Sequence, residues 1–462
     1  MSITTLDTDA LNKQLRRLAK KYAVVGAVFG VRQGDDVIEL PYGVTNRNTG
    51  VNVTTDTLFQ IGSVTKVWTA TLVMMLVDEG VLDLDEPIVT YLPEFRVADK
   101  ALTRQITLRH LLSHSSGIGG DHIIDTGRGD DYLAKFVAAC KGLAQEHELG
   151  VTMSYCNTGY SVAGRIIEKV TGKSWDAVLR QRLIGPLRLN HTNTLPEEAL
   201  LYRTAVGHAG PLGSAASQQV IPIWVLSRSA GPAGLINASV ADAMAFAQLH
   251  LDKGKTPSGK RILSAGAVRK MQQRQVDVPD RYTLGDRWGL GWSLFNWDGH
   301  KVYGHDGSTL GQRAYLRVLP EANLIVSLLT TGGSPMVMFT DLCREVMGAI
   351  AGVDVPRLPT APKKAPDLDL SQYAGEFARL NAAIEIVVGE DGCLAGKLRN
   401  SGELAEMFGG GVPQPLEITP VDRSLFLART AAFPAPVPFV FFDFEGDRPK
   451  RLHFGLRAMT RR

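Results

Sequence analysis

The chain has 462 residues, 44% hydrophobic and 21% charged, which is the composition of an ordinary globular protein with a sizeable core. Its 50 lysines and arginines and 47 acidic residues leave a net charge of +3, too small to indicate nucleic-acid binding. The four cysteines are scattered without a CxxC pair, which argues against a zinc site or a disulfide framework. We expect a cytoplasmic protein, because the N-terminus lacks signal-peptide order and no apolar run reaches the roughly 18 residues of a transmembrane helix.

Helices and strands are predicted in alternation from the N-terminus. Residues 7–22 are predicted to form an amphipathic helix, and residues 23–46 two strands joined by a QGDD turn. An apolar helical pattern predicts a helix over about 63–79, and Gly80 marks its end as a normal helix terminator. A short helix within 106–118 then leads into a Ser/Gly loop.

The middle of the chain continues with helices and then with strands. Helical spacing covers 157–172 and 239–254, each of which ends at a glycine. The predicted antiparallel strands and the closing helix occupy residues 288–295, 301–307, 312–331 and 335–350. This order predicts an α/β (α+β) domain.

A proline-rich segment separates this domain from the C-terminus. Prolines recur every three or four residues from Pro356 to Pro366, which indicates a stiff, extended linker. The residues after it are strand-like and contain Gly and Pro turns, with FVFFDFEG the most strand-prone piece. We therefore predict a catalytic domain over 1–353, a linker over 354–366 and a small β domain over 367–462.

The stretch IGSVTKVWTATLVMMLVDEG carries a serine and a lysine three residues apart. Ser63 and Lys66 would share one face of the helix, with Ser63 in the first turn, where free amides and the helix dipole stabilise an oxyanion. A lysine whose pKa is lowered by burial can act as a base. The alternative is an ordinary helix-start serine and a surface lysine, since SxxK is common by chance.

Two later motifs extend the pattern that begins with Ser63 and Lys66. SYCNTGY contains Tyr155 and Asn157, and YGHDGSTLG contains His305 and Gly307 on a predicted strand. The order SxxK, YxN, HxG resembles the penicillin-recognising serine hydrolases. Within them it resembles the class C β-lactamase-like branch, which includes D-aminopeptidases, carboxylesterases and LACTB-type peptidases. LRHLLSHSSGI, NTGYSVAGRIIEKVTG, PLRLNHTNT and GPAGLINASVAD extend the resemblance over most of residues 10–350.

The resemblance implies a fold and a set of roles. The fold would be β-lactamase/transpeptidase-like, an antiparallel sheet flanked by helices with an all-helical subdomain. Ser63 would be acylated, and Lys66 would accept its proton or stay charged to lower the pKa of Tyr155. Tyr155 would shuttle protons, and Asn157 would hydrogen-bond Lys66 and the substrate amide. The backbone amides of Ser63 and Ser308 would form the oxyanion hole.

The third motif departs from the KTG form. His305 replaces the lysine and titrates near neutrality in its ordinary state. Asp306 replaces the threonine and would repel a substrate carboxylate if it faced the pocket. We therefore predict weak or absent β-lactamase activity.

Three functional readings remain open. The preferred one is an amidase or peptidase acting on small peptides or D-amino-acid amides. The alternatives are an esterase or acyltransferase for short acyl esters, and a catalytically silent, penicillin-binding-protein-like scaffold. No metal or organic cofactor is implied, and the expected partner is a small molecule or short peptide. Nucleic acid and a membrane span are not expected, and a homo-oligomer is left open.

Other residues near the motifs are predicted to be structural. His110 and His114 belong to a scaffolding helix and loop, and Cys156 is predicted to be a small buried thiol. LSQYAGEF and the strands after it resemble a lipocalin-like β domain, which implies a small antiparallel β-barrel. That domain would shape one side of the cleft or support oligomers, or it would be an accessory module without effect on the site.

Overall fold

The computed structural model describes residues 1–224, 226–402, 405, 411–430 and 436–462. The α-helices of these residues are α1 (Thr8–Lys21), α2 (Thr65–Asp78), α3 (Lys100–Thr103), α4 (Leu108–Leu112), α5 (Tyr132–Ala139), α6 (Asn157–Thr171), α7 (Trp175–Leu179), α8 (Gly185–Leu187), α9 (Pro196–Ala199), α10 (Gly231–Gly234), α11 (Val240–Leu251), α12 (Ala265–Met271) and α13 (Pro335–Ala351).

The strands before α13 are β1 (Gly26–Gln33), β2 (Asp36–Asn46), β3 (Val51–Asn52), β4 (Phe59–Gln60), β5 (Thr192–Asn193), β6 (His208–Ala209), β7 (Gln219–Val220), β8 (Asn237–Ala238), β9 (Val276–Asp277), β10 (Arg287–Trp288), β11 (Ser293–Trp297), β12 (His300–Ser308), β13 (Gln312–Leu319) and β14 (Leu324–Thr331). Those after it are β15 (Gly375–Arg379), β16 (Ala382–Val388), β17 (Leu394–Asn400), β18 (Gln414–Pro420), β19 (Leu425–Arg429), β20 (Val437–Glu445), β21 (Arg448–Phe454) and β22 (Arg457–Arg461).

A nine-stranded antiparallel sheet forms the centre of the larger part of the chain. Its order is β3-β2-β1-β14-β13-β12-β11-β10-β9. The N-terminal hairpin therefore joins the sheet beside β14, with Gly26 opposite Thr331. This long-range pairing brings the two ends of the catalytic region together.

Both faces of the sheet are covered. Side chains alternate across a strand, so Phe29 of β1 enters the core shared with α1 and α13, and Val28 enters the core shared with the helical region. That helical region lies between β4 and β8 and includes α2. Residues of α2 are buried from Thr65 to Leu76, as expected for a helix that is apolar on all sides.

The C-terminal strands form a closed barrel that runs from β15 to β22 in sequence order. Aromatic rings fill its interior: the ring centroids of Tyr373 and Phe426 lie 4.8 Å apart, and those of Phe426 and Phe441 5.0 Å apart. The predicted small antiparallel barrel is confirmed, and its interior is a packed core.

The predicted fold class is also confirmed, with differences in detail. The strand predicted over 288–295 is wrong as a single element, because β10 and β11 are separated by a turn at Gly291 with φ +84°. A Cβ at Gly291 would lie 2.8 Å from Ala70 Cβ, so the turn packs directly on α2. The boundaries at 353 and 366 stay predictions.

Candidate active site

Ser63 lies in a single 3-10 turn, Gly62–Val64, between β4 and α2, two residues before the first residue of the helix in which it was predicted. Two glycines bring this turn against the end of β12. A Cβ at Gly307 would lie 1.8 Å from the Ile61 carbonyl oxygen, and one at Gly62 2.5 Å from the Ser308 amide nitrogen. Only residues without side chains permit this approach, which places Ser63 beside Ser308.

Lys66 is completely buried one turn further along and points at the serine. Its Nζ donates to Ser63 Oγ at 3.1 Å and to the Ala233 carbonyl oxygen at 2.7 Å. Burial, and secondly the positive charge of Arg457, hold the pKa of Lys66 well below its usual range. A neutral amine in this position can accept the proton of the serine hydroxyl.

Tyr155 covers the amine. Lys66 Nζ lies 4.8 Å from the centroid of the tyrosine ring. Burial raises the pKa of Tyr155, and the nearby Ser63 hydroxyl opposes that shift. The Tyr155 hydroxyl itself has no hydrogen-bond partner of good geometry within the described residues. At neutral pH the group is therefore a phenol with a proton available to donate.

His114 contacts the ring of Tyr155 and the backbone on both sides of it in sequence. Its Nδ1 accepts from the Cys156 amide at 3.0 Å, and its carbonyl oxygen accepts from Ser154 N at 2.9 Å. The rings of His114 and Tyr155 are 4.2 Å apart. Burial keeps the pKa of His114 well below its ordinary value, so it supports the site as a neutral group. The predicted structural role for His114 thus includes fixing a site residue.

Asn157 begins α6 and is half-buried beside the site. Its backbone amide donates to the Gly120 carbonyl oxygen at 3.0 Å. Within the part of the chain that the structure describes, its side chain makes no hydrogen bond to Lys66, whose second bond goes to Ala233. The predicted contact of Asn157 with the substrate amide stays a prediction.

His305 and Gly307 share one face of β12, toward Ser63, as the alternation of a strand requires. The Nδ1 of His305 bonds to the Asp306 carbonyl oxygen at 2.7 Å. Burial lowers the pKa of His305 to about 3, with Lys66 the next cause. Unlike a free histidine, which titrates near neutrality, His305 is therefore held toward its neutral form by burial.

Asp306 points to the opposite face of β12, away from Ser63. Its carboxylate accepts from both terminal nitrogens of Arg317, with Nη2 at 3.1 Å from Oδ2. The Arg317 guanidinium in turn lies 4.5 Å from the ring of Phe295. Repulsion of a substrate carboxylate by Asp306 was conditional on a pocket-facing side chain, and the structure excludes that orientation.

One predicted role of the barrel was to shape one side of the cleft, but the sequence patterns did not identify the barrel residues that contact Tyr155. Tyr155 N donates to the carbonyl oxygen of Leu456 at 3.0 Å, in the turn between β21 and β22. The guanidinium of Arg457 lies 5.1 Å from the centroid of the Tyr155 ring. No motif marks these residues, because their contact depends on how the barrel docks.

The described residues carry neither a cluster typical of a metal site nor a helix typical of a membrane span. They contain no group of three His, Cys, Asp or Glu side chains that could hold a metal ion. They also contain no helix that is both long and apolar enough to cross a membrane.

A serine turn at the edge of an antiparallel sheet, bonded to a buried lysine and capped by a tyrosine, defines the penicillin-binding and amidase class of serine hydrolases. The sequence pattern of the family described as Beta-lactamase matches residues 11–345. The chain belongs to this family.

Individual relatives agree with that assignment. Penicillin-binding protein 4 of Amycolatopsis lactamdurans is 47% identical over 368 residues, which cover 79% of this chain and 96% of that protein. The crystal structure of SurE superposes with a TM-score of 0.77 at 29% identity, covering 98% of each chain. D-amino acid amidase from Ochrobactrum anthropi SV3, solved with L-phenylalanine, superposes with a TM-score of 0.63 at 25% identity, covering 75% of this chain and 99% of that one.

Proposed function

We propose that the protein is a serine hydrolase that forms an acyl-enzyme on Ser63 and acts as an amidase or peptidase on D-amino-acid amides or small peptides. The observation that carries this proposal is the bond between the buried, neutral Lys66 amine and Ser63 Oγ. The similarity to a D-amino acid amidase over three quarters of the chain supports the substrate class.

Acylation follows from the positions of three side chains. Ser63 Oγ attacks the amide carbonyl carbon while its proton passes to Lys66 Nζ, and the backbone amides of Ser63 and Ser308 bind the oxyanion, each donor contributing about 3 kcal/mol. Tyr155 then donates its phenolic proton to the departing amine nitrogen as the carbon–nitrogen bond breaks. The proton on Lys66 returns to the Tyr155 oxygen, which leaves a neutral site and an ester on Ser63.

Deacylation reverses the proton movements. A water molecule takes the place of the amine and loses its proton to Lys66 through Tyr155 as it attacks the ester carbon. The carbon–oxygen bond to Ser63 breaks, Ser63 Oγ recovers a proton from Lys66, and the carboxylic acid leaves. The same ester could pass to an amine or alcohol instead of water, which is the acyltransferase alternative.

Intact-protein mass spectrometry tests the nucleophile. After brief exposure to D-alanine amide, a p-nitrophenyl ester or a penicillin, we expect wild type to gain the mass of an acyl group and Ser63→Ala to gain none. Ser161→Ala is the matched control, because Ser161 is also buried and its hydroxyl donates to the Ser229 carbonyl oxygen, away from Lys66. Adduct formation on Ser63→Ala, or its absence from wild type with all three reagents and no product released, contradicts the proposal.

We also expect poor turnover of β-lactams. The sequence argument used both His305 and Asp306, but Asp306 faces away from Ser63, so only the replacement of the KTG lysine by His305 still supports this expectation. Burial lowers the pKa of His305 to about 3, so this residue provides no fixed positive charge where the KTG lysine stands. We expect kcat/KM for nitrocefin to remain below about 10⁶ M⁻¹s⁻¹, the lower range of efficient enzymes. A higher value, measured beside D-alanine amide hydrolysis by the same preparation, would show that the site holds lactams productively without that charge.

A further inference from the structure

The barrel contacts the candidate active site through the turn that joins β21 and β22. Besides the bond from Tyr155 N to Leu456, the Ala458 amide donates to Ser154 Oγ at 3.2 Å. Leu456 also packs against the apolar cluster that contains Tyr155 and Trp288. The segment that carries Tyr155 is thus held by His114 on one side and by the barrel on the other.

Arg457 follows this turn and is nearly buried, at 9% exposure. Its Nη2 donates to Oδ1 of Asp121, a buried residue of the catalytic region. Arg379 of the barrel donates to the other oxygen of Asp121 at 2.7 Å. Two guanidinium groups therefore share one carboxylate at the interface beside the Tyr155 ring, and the buried Glu146 carboxylate, which accepts from the Leu380 amide, is the second acid near them.

Asp121, which is paired with Arg457, opposes the effect of Arg457 on the pKa of Lys66 but has the smaller influence of the two. Besides Arg457 and Asp121, the titratable groups facing the Lys66 amine are Tyr155, Tyr160, Cys156, His114 and His305. Burial raises the pKa of Cys156 to about 12 and raises the pKa of both tyrosines. Because burial also lowers the pKa of both histidines, all five are neutral at pH 7.

We propose that Arg457 is a positioning residue of the Ser63 centre: fixed by Asp121 and placed against the Tyr155 ring, it makes the barrel a required part of the catalytic unit. This inference rests on the proposed function, because it acts through Lys66 and Tyr155. A buried positive charge disfavours a second one nearby. Arg457 thereby helps keep the Lys66 amine in the neutral form that takes the serine proton, and lies over the ring whose phenol protonates the leaving group.

The direction of the pH effect follows. Lys66 accepts a proton only when it is neutral, so the rate rises with pH through the pKa of Lys66. Arg457 lowers that pKa, and its removal raises it. Loss of the guanidinium therefore moves the acid limb of the rate profile to higher pH, whereas a merely structural role for Arg457 leaves the limb where it is.

The test measures acylation of the full chain by p-nitrophenyl acetate, as the burst of p-nitrophenol, from about pH 5 to about pH 10. Arg457→Gln keeps a donor for Asp121, which also retains Arg379, and removes the charge. We expect its rate on the acid limb to fall about threefold or more, the equivalent of a displacement of half a pH unit. Arg457→Lys keeps the charge, and we expect it to retain the wild-type limb.

Arg451→Gln is the matched control. Arg451, a buried arginine of β21, is likewise ion-paired with the catalytic region, at Glu148, and within the described residues no contact links it to Tyr155. We expect its limb to coincide with that of wild type. Thermal melts show whether Arg457→Gln is still folded. If it is not, Arg457→Lys is the deciding variant, and displacement of its acid limb despite the retained charge overturns the proposal.

The remaining outcomes are also decisive. An unmoved limb in Arg457→Gln, or equal displacement in Arg457→Gln and Arg451→Gln, overturns the inference while acylation of wild type leaves the proposed function intact. Absence of any acylation on wild-type Ser63 overturns both. A limb moved by Arg457→Gln alone, with Arg457→Lys near wild type, establishes the role of the barrel cation.

Discussion

Replacing Lys66 with methionine lowers kcat/KM for an acyl substrate by about 10³-fold, within the range that general-base catalysis contributes. Ser63 keeps its place in Lys66→Met, because the turn is held by the contact between Gly62 and Ser308 rather than by the amine. Only the proton acceptor is lost. Steady-state kinetics on a p-nitrophenyl ester and D-alanine amide, with the acyl-enzyme followed by mass spectrometry, measure the effect.

Stability should respond in the opposite direction. The unfolded chain holds Lys66 protonated below its ordinary pKa, whereas burial keeps the folded amine neutral, so folding releases a proton and is opposed at pH 7. Methionine removes this cost and has a similar length. We expect the Tm of Lys66→Met to be no lower than that of wild type, the usual trade-off between stability and activity at a functional site.

Thr69→Val is the matched control for Lys66→Met. Thr69 lies one turn later on α2, is fully buried, and donates to the Pro232 carbonyl oxygen at 2.7 Å, next to the Ala233 oxygen that Lys66 contacts. We expect Thr69→Val to lower the Tm, because it removes a buried hydrogen bond. We expect its kcat/KM to stay within about twofold of wild type, because the Lys66 amine is unchanged. Lys66→Met activity close to that of Thr69→Val would contradict the assignment of Lys66 as the base.

The second large effect is expected from Gly307→Ala. The added methyl group would lie 1.8 Å from the Ile61 carbonyl oxygen and 3.0 Å from the Ser63 amide nitrogen. Both neighbours are backbone atoms, so β12 and the serine turn must separate. Displacement of catalytic groups by about 1 Å costs on the order of 100-fold, and we expect kcat/KM to fall by about that factor.

Overpacking at this contact also reduces stability by about 1–3 kcal/mol. Gly142→Ala is the matched control, because a Cβ there meets no atom within 4 Å and Gly142 is outside the positive-φ glycines. We expect Gly142→Ala to match wild type in activity. Thermal melts and acylation kinetics on both variants decide, and wild-type acylation by Gly307→Ala would show that the oxyanion hole does not depend on this close contact.

Because burial favours the neutral form of His305, the HxG motif supplies no positive charge to the site. A lysine at that position would compete with Lys66 for the neutral form, since like charges in a buried site oppose each other. Here the barrel brings a different cation near the site, since the Arg457 guanidinium lies 5.1 Å from the centroid of the Tyr155 ring. The position of the positive charge around the site is thus a property of how the two parts of the chain dock.

From the amino-acid sequence we predicted the fold class correctly and proposed candidate residues for the chemistry. Apolar spacing marks α2, and the SxxK, YxN and HxG motifs identify Ser63, Lys66 and Tyr155, because local segments of chain hold each motif in a defined backbone conformation. The strand pattern after the proline-rich segment likewise predicts a small β domain, and the resemblance to a lipocalin-like domain implies the barrel. These features depend on neighbours in sequence, and a single chain reveals them.

Three features of the site depend on the tertiary structure: which ionisable groups are buried, which way Asp306 points, and which barrel residue contacts Tyr155. Burial sets the pKa of Lys66 and His305, and burial depends on packing between segments far apart in the chain. The side of β12 that Asp306 faces followed from strand register, which fixes every side chain of a strand at once. The approach of Arg457 to Tyr155 joins residues about 300 positions apart in sequence, and no local pattern encodes a contact made only when the barrel docks.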